Sequence, residues 1–248
     1  MNYNGRFFAF GCSFTASSDR PTWADIVGRH FAEYQNWGRG GMGNQYIFYQ
    51  LVEANRWNKF TPDDTVMIMW SSISRIDLYL EEEGEWHGRG SVFNSDLFSR
   101  EFLKKFATDR FFLLRDLATI SATIDLLKYW GVNYRMMSIV PIGESEVTGY
   151  KQTGDNKGIY HLYEDAIGEI LPSVYEVIFN SNDWNLKSSN FGKYISPGQR
   201  DPHPDPCENL QYVKTVLPEL MLKPEVVEWV ENFKLGDKNP EYFHVQRF

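Results

Sequence analysis

A short apolar run near the start of the chain ends in glycine, and it constrains the fold more than any other stretch. Phe7 to Phe10 are apolar, Gly11 follows, and Ser13 comes two positions later, before any helix signal. A run this short and this apolar is typical of a strand buried on both faces of a sheet. Open α/β folds place reactive groups just past the carboxyl ends of such strands. We therefore expect Ser13 at the edge of a central strand, with an exposed hydroxyl and rigid backbone beneath it.

The rest of the chain alternates short apolar runs with longer helical patterns. Further strands are predicted at Tyr34 to Trp37, Thr65 to Trp70, Tyr134 to Val140 and Val174 to Phe179. Helical spacing of apolar residues predicts helices after the N-cap Thr22, from Asn44 to about Arg56, from Asp109 to Trp130, across Tyr160 to Leu171, around Leu210 and after Pro224. This alternation predicts a three-layer α/β/α sandwich with a mostly parallel central sheet, of the flavodoxin-like kind.

One segment breaks the alternation. Glu81 to Ser99 has no clean period and contains three glycines, so we interpret it as a long loop or cap over one end of the sheet. The sequence contains no internal repeat and no linker that would divide it. We therefore interpret residues 1–222 as one domain with a cap insertion around 81–108, and residues 223–248 as a C-terminal helix and tail packed on that domain.

Charge and composition exclude several classes of partner. The chain has 248 residues and a formal net charge of −8, which disfavours general attraction to nucleic acid or to an anionic membrane. No apolar run has the length of a membrane span, and the amino terminus lacks the pattern of a signal peptide. Only two cysteines are present, Cys12 and Cys207. We expect a cytoplasmic or otherwise non-secreted protein without a disulfide framework.

Polar and glycine-rich clusters follow the predicted strands. Ser13 follows the first, the glycine-rich stretch Gly38 to Asn44 follows the second, and Ser71-Ser72 follows the third, while His203 precedes the last core helix. The carboxyl ends of parallel strands lie along one edge of a sheet, so these stretches should converge on one crevice. Acyl transfer requires a hydroxyl nucleophile, an imidazole base, a carboxylate that orients it, and donors for an oxyanion. The sequence offers a candidate for each.

Three motifs carry a family resemblance. Gly-Cys-Ser-Phe-Thr follows the first strand, Asn-x-Gly-x-x-Gly-x-x-Asn follows the second, and Asp-x-His-Pro stands near the end. In this order they resemble the SGNH, or GDSL-like, hydrolase superfamily, over residues 6–75 and 198–222. The resemblance implies a serine esterase that needs no cofactor and no metal. It implies Ser13 as nucleophile and oxyanion donor, Gly41 as second donor, His203 as general base and Asp201 as the carboxylate orienting that base.

The chain departs from the family pattern in two places. The family has an asparagine oxyanion donor after the third strand, where this chain has Ser72. Losing one such donor costs on the order of a hundredfold in rate, so the Ser72 hydroxyl or Asn44 would have to replace it. The family also has two residues between its aspartate and histidine, and here only Pro202 separates them. In an extended segment, residues two apart point to the same side, so Asp201 can still reach His203. The alternative partner of the imidazole is Asp205 or a backbone carbonyl.

The substrate remains open at this point, and three other functions compete with an esterase. Aromatic loops favour a carbohydrate O-acetyl ester, with Trp86, His87 and Trp184 as substrate-binding candidates, and a lipid or small-molecule ester is the alternative. Gly38-x-Gly40-x-x-Gly43 matches a dinucleotide fingerprint, but it follows the second strand instead of the first. Asp201, His203 and Asp205 lack the second cluster of ligands that a closed metal site needs. The main rival is an inert SGNH-like domain that serves binding or structure in a larger assembly.

Overall fold

A four-stranded parallel sheet forms the centre of the molecule. The computed structural model describes residues 3–16, 19–88, 90–94, 96–142, 156–179 and 203–234. The sheet consists of β1 (Arg6–Phe10), β2 (Glu33–Asn36), β3 (Thr65–Trp70) and a later strand, β6 (Asn133–Ser138), in the order β2-β1-β3-β6. Strand β1 is central, because Phe8 pairs with Gln35 on one side and with Val66 on the other. All neighbouring strands are parallel, as predicted.

Helices cover both faces of this sheet. They are α1 (Trp23–Gly28), α2 (Asn44–Asn58), α3 (Arg100–Phe106), α4 (Asp109–Trp130), α5 (Lys157–Leu162), α6 (Glu164–Gly168), α7 (Pro206–Val216) and α8 (Pro224–Glu231). Within the described part of the chain, no helix combines the length and the apolar composition that crossing a bilayer requires.

Alternate residues of β1 belong to two separate apolar layers. Phe7 and Ala9 pack with the buried residues of α1, α7 and α8, whereas Phe8 and Phe10 pack with those of α2 and α4. Successive side chains of a strand point to opposite faces, so an apolar run that faces helices on both sides must be apolar at every position. The predicted three-layer sandwich is confirmed.

Local signals set several helix ends where the sequence predicts them. Thr22 is the N-cap of α1, and its backbone N–H donates to the Asp25 carboxylate at 2.8 Å. Helix α4 begins at Asp109 and ends at Trp130, where Gly131 takes the left-handed conformation with φ of 69°. A residue with a Cβ adopts that conformation at a cost, which is why glycine is common at this position.

Regular structure begins just before the segment predicted as a long loop or cap, Glu81 to Ser99, and continues into it. Strands β4 (Leu78–Leu80) and β5 (Glu85–His87) form an antiparallel hairpin, and a 3₁₀ turn covers Val92–Asn94. Each strand has three residues, too few for an alternating pattern to be recognised. Within the predicted bounds, the loop interpretation was wrong for Glu85–His87, which is a strand, and the cap interpretation stays a prediction.

The run from Val174 to Phe179 is not a strand. Tyr175–Phe179 forms a π-helical turn instead. The Ser173 hydroxyl accepts from the Glu176 N–H at 3.2 Å, and the Glu176 carboxylate accepts from the Ser173 N–H at 2.8 Å. Ser-x-x-Glu is the sequence signature of a helix start, and these two bonds are its structural form. Apolar periodicity alone does not distinguish a short buried helix from a strand.

Candidate active site

Folding brings Ser13 and His203 into contact at the carboxyl end of β1. His203 Nε2 lies 2.6 Å from Ser13 Oγ, although 190 positions separate the two residues. Both side chains are half-buried, so neither is sealed inside the core. A hydroxyl and an imidazole at this distance have the geometry of a nucleophile and its base.

The turn that carries Ser13 is held by hydrogen bonds from two other elements. Its backbone closes through the Thr15 N–H, which donates to the Cys12 carbonyl at 3.0 Å. The Thr15 carbonyl then accepts from the Thr22 hydroxyl at 3.0 Å and from the Asn36 amide at 2.8 Å. The Ser13 turn is thereby fixed to the start of α1 and to the end of β2.

The side of the site that carries His203 is built by α7 and by an aromatic ring. Phe14, which follows the candidate nucleophile, packs against the His203 ring with 4.7 Å between centroids. Asp205 is the N-cap of α7 and accepts from the Glu208 N–H at 2.8 Å. Asp201, predicted as the orienting carboxylate, lies outside the described residues, as does Trp184.

The glycine-rich loop passes directly over this turn. The Arg39 N–H donates to the Gly11 carbonyl at 3.0 Å, and a Cβ placed on Gly40 would lie 3.9 Å from the Ser13 Cβ. Gly41 has φ of 77°, and a Cβ there would collide with the Gly88 carbonyl. Glycine is therefore required at Gly41 by its conformation and by the approach of the hairpin.

Two backbone donors are available at the edge of this loop. The N–H groups of Ser13 and Gly41 donate to no atom of the described residues. Preorganised N–H groups of this kind stabilise an oxyanion because they need no reorganisation when charge develops.

Asn36 joins the glycine loop to the turn that carries Ser13, a role the sequence analysis missed. Its amide donates to the Thr15 carbonyl, while its Oδ1 accepts from the Gly38 N–H at 2.9 Å. Asn36 is the first residue of the Asn-x-Gly pattern, so the signal was present without its structural meaning. The side chain holds the two loops in one relative position.

Asn44 points away from the site and into the core. Its Nδ2 donates to the Ser71 carbonyl at 3.1 Å and to Asp116 Oδ2 at 2.8 Å, and its Oδ1 accepts from the Ser71 N–H at 2.7 Å. An amide group has two hydrogens, and both are used. Asn44 therefore has no hydrogen left for an oxyanion.

Ser72 is equally turned inward. It is 0% exposed, and its hydroxyl lies 3.1 Å from the Ser74 hydroxyl, which in turn donates to the Ser91 hydroxyl at 3.0 Å. Since Ser74 gives its hydrogen to Ser91, Ser72 gives its own to Ser74. Neither side chain expected to replace the family asparagine presents a donor in this structure.

Buried charges support the loop after β3. Arg115 Nε donates to Asp116 Oδ1 at 2.6 Å, and another of its nitrogens donates to the Ile73 carbonyl at 2.9 Å. Burial raises the pKa of Asp116 to about 6, although Arg115 and the Asn44 amide oppose this rise. No local pattern predicts this role, because Asp116 lies in the middle of an ordinary helical pattern.

A second carboxylate fixes the end of the glycine-rich loop. Asp77 accepts from the Gly43 N–H at 2.6 Å and from the Tyr46 N–H at 2.9 Å, at the start of α2. Arg75 donates to the Met42 carbonyl at 3.1 Å, on the same loop. Burial raises the pKa of Asp77 above its usual value.

Trp86 lies in a cluster of tyrosines between the hairpin and α2. Its ring centroid is 5.6 Å from Tyr46, 5.4 Å from Tyr49 and 5.7 Å from Tyr79. Tyr49 and Tyr79 are 43% and 46% exposed. His87, on the opposite side of β5, has Nδ1 3.3 Å from a Glu83 carboxylate oxygen.

Among the residues that the structure describes, no group of three His, Cys, Asp or Glu side chains is arranged to hold a metal ion.

Comparison with solved structures decides the fold. A variant of Axe2, an acetyl-xylooligosaccharide esterase from Geobacillus stearothermophilus, superposes with a TM-score of 0.50 at 14% identity, covering 90% of this chain and 98% of that one. This chain has the SGNH-hydrolase fold. No protein-family model matches the sequence, and no curated protein matches it either.

Two further structures are similar to this SGNH-type chain. A member of the lipolytic G-D-S-L family from Veillonella parvula has a TM-score of 0.41 at 14% identity, covering 86% of this chain and 96% of that one. Protein YXIM of Bacillus subtilis has a TM-score of 0.48 at 14% identity and 88% coverage of this chain. This chain spans only 56% of the length of the Bacillus subtilis protein.

Proposed function

We propose that this protein is a serine hydrolase acting on carboxylic esters. The observation that carries the proposal is the 2.6 Å contact between His203 Nε2 and Ser13 Oγ. Both side chains are half-buried, and two available backbone N–H donors, those of Ser13 and Gly41, accompany them. A purely structural pair would require neither feature. The geometry suits acyl transfer through a hydroxyl nucleophile and an imidazole base.

In the proposed reaction, Ser13 Oγ attacks the ester carbonyl carbon and its proton moves to His203 Nε2. The new Oγ–C bond forms as the carbonyl electron pair moves onto oxygen. When the tetrahedral intermediate collapses, the bond to the alcohol breaks and the alkoxide takes the proton from Nε2. A water molecule then repeats the sequence on the acyl-serine, which releases the acid and restores Ser13.

The oxyanion would be stabilised by the backbone N–H groups of Ser13 and Gly41. We assign no third donor, since the hydrogens of Ser72 and Asn44 are directed into the protein. A two-donor hole is expected to be weaker than the three-donor hole that the family resemblance implies. We keep Asp201 as the proposed partner that orients His203.

The proposed substrate class is a carbohydrate O-acetyl ester. Trp86 and the exposed rings of Tyr49 and Tyr79 form an aromatic surface between the hairpin and α2, beside the glycine loop. Flat rings with a polar edge suit the apolar face of a sugar ring. His87 and Trp184 stay in this proposal as substrate contacts.

Kinetics on paired substrates would test the proposal. We expect wild-type protein to hydrolyse a short-chain aryl ester, and to act on acetylated oligosaccharides with a higher kcat/KM. Ser13→Ala and His203→Ala should each lose at least about a thousandfold in kcat. The exposed residues Ser99 and His161 provide matched controls, since Ser99→Ala and His161→Ala should retain full activity. Activity that survives Ser13→Ala would contradict the proposal.

One observation favours a second function, an inert SGNH-like domain that binds a ligand or serves a larger assembly. In the loop after β3, the side chains of Ser71, Ser72 and Ser74 are all buried, so none of them presents a hydroxyl donor to an oxyanion. In that case wild-type protein would turn over neither substrate, while acetylated oligosaccharide would still quench the fluorescence of the Trp86 cluster.

A further inference from the structure

Asn209 is a buried amide on α7 that contacts two separate parts of the chain. It is 4% exposed. Its Nδ2 donates to the Pro204 carbonyl at 3.2 Å and to the Asp205 carbonyl at 3.1 Å. Its Oδ1 accepts from the Trp23 N–H at 3.2 Å. Pro204 directly follows His203, so this amide fixes the backbone next to the proposed base.

The other end of the same contact leads to the turn that carries Ser13. Trp23 is fully buried at the start of α1, and its indole N–H donates to the Thr15 hydroxyl at 3.2 Å. The preceding residue, Thr22, donates its hydroxyl to the Thr15 carbonyl at 3.0 Å. The start of α1 therefore holds the Ser13 turn through Thr15 and the segment after His203 through Asn209.

We propose that Asn209 is a positioning residue for His203, because it joins the Pro204 carbonyl to the element that also fixes the Ser13 turn. The inference rests on the proposed esterase function. An amide suits this position, since it supplies the acceptor for Trp23 and the donor for Pro204 at once. A carboxylate would supply only the acceptor, and an alanine would supply neither.

A purely structural role and a positioning role have different kinetic consequences. If Asn209 only stabilises the fold, its loss lowers the melting temperature and leaves kcat unchanged at temperatures where the protein is folded. If it positions His203, its loss lowers kcat while KM changes little, because misplaced proton transfer affects the chemical step.

The test compares Asn209→Ala and Asn209→Asp with Tyr212→Phe, a control on the same helix. Tyr212 is buried and donates to the Pro172 carbonyl at 2.8 Å, so Tyr212→Phe removes a buried hydrogen bond of α7 away from His203. Steady-state kinetics are measured on an aryl ester at least ten degrees below each melting temperature. Asn209→Asp preserves the side-chain shape and the contact to Trp23, which serves as a second variant if Asn209→Ala does not fold.

We expect kcat to fall by about 10 to 100-fold in both Asn209 variants, with KM within about threefold and Tyr212→Phe within about twofold of wild type. The inference is overturned if the folded Asn209 variants retain wild-type kcat, or if Tyr212→Phe loses as much kcat as they do. A wild-type protein with no ester turnover would instead overturn the proposed function and this inference together.

Discussion

Two loops leave the same edge of the sheet, and their serines have opposite environments. After β1, Ser13 is half-buried and contacts His203 at 2.6 Å. After β3, Ser72 is fully buried and its hydroxyl belongs to a chain of serines that ends at Ser91. Strand topology brings both residues to the edge, but the hydrogen bonds behind each loop determine which hydroxyl faces the crevice.

The difference shows that position at the sheet edge does not by itself assign a chemical role. The loop after β1 is held through backbone carbonyls, chiefly that of Thr15, which leaves the Ser13 side chain free to face outward. The loop after β3 is also held at its backbone, where the Asn44 side chain bonds to the Ser71 carbonyl and N–H, but here the hydroxyls of Ser72 and Ser74 are used as well. Side chains that support a loop are not available for chemistry.

Outside the Ser13–His203 pair, the largest expected effect is in Gly41→Ala. The added Cβ would strain a residue with φ of 77° and collide with the Gly88 carbonyl, which would move the proposed oxyanion N–H. We expect kcat/KM for an aryl ester to fall by more than about a hundredfold. Gly84→Ala is the matched control, because Gly84 has φ of 65° with no neighbour within 4 Å, and it should stay within about threefold. Equal activity in the two variants would show that the glycine-rich loop contributes nothing to the proposed oxyanion site.

Asn44→Ala is expected to affect stability instead of catalysis. It removes three buried hydrogen bonds and leaves the Ser71 N–H unsatisfied, at a cost of about 2 to 3 kcal/mol in the free energy of unfolding. Urea titration would measure this loss. Asn232→Ala, on the exposed end of α8, should cost less than about 1 kcal/mol. If kcat of the folded Asn44→Ala protein falls a hundredfold, Asn44 has a catalytic role that its inward contacts do not indicate.

Asp116→Asn should flatten the pH dependence of stability. Burial raises the folded-state pKa of Asp116 to about 6, above its ordinary value of 3.8, so the folded state binds this proton more readily than the unfolded chain. Its contribution to stability is therefore largest below about pH 4 and decreases as pH rises to about 6. We expect wild type to gain on the order of 1 kcal/mol from this group between pH 7 and pH 5, and the variant to lack that gain. Urea titrations at the two pH values measure this difference in the free energy of unfolding. If it is the same in Asp116→Asn as in wild type, the burial argument is contradicted.

Ser72→Ala should have the smallest effect. If the Ser72 hydroxyl only continues the chain through Ser74 to Ser91, kcat should stay within about threefold of wild type. A hydroxyl that stabilised the oxyanion would cost on the order of a hundredfold when removed. Steady-state kinetics on an aryl ester separate the two outcomes, and a hundredfold loss would show that both loops contribute to the site.

The sequence predicted the parts of the fold that depend on period and connection. Apolar runs such as Phe7 to Phe10, with helices between them, were sufficient for the parallel sheet, and this topology predicted that Ser13 and His203 would meet. The N-cap Thr22 and the ends of α4 could also be predicted, because helix ends depend on residues that are close together in the chain.

The direction of the polar side chains at the sheet edge could not be predicted. Asn44 turns inward because Asp116, more than seventy positions later, accepts its amide hydrogen, and no local pattern connects the two. The hairpin β4–β5 was missed because its strands are shorter than one alternating pattern. Asp201 and Trp184 lie outside the described residues, so their predicted roles stay predictions.

Covalent labelling tests the central claim most directly. We would treat wild-type protein, Ser13→Ala and His203→Ala with a fluorophosphonate and map the modified peptide by mass spectrometry. A hydroxyl activated by the neighbouring imidazole should take up one phosphonyl group at Ser13 in wild type, none at that position in Ser13→Ala, and much more slowly in His203→Ala. A wild-type protein that remains unlabelled, or that is labelled equally in Ser13→Ala, would contradict the account.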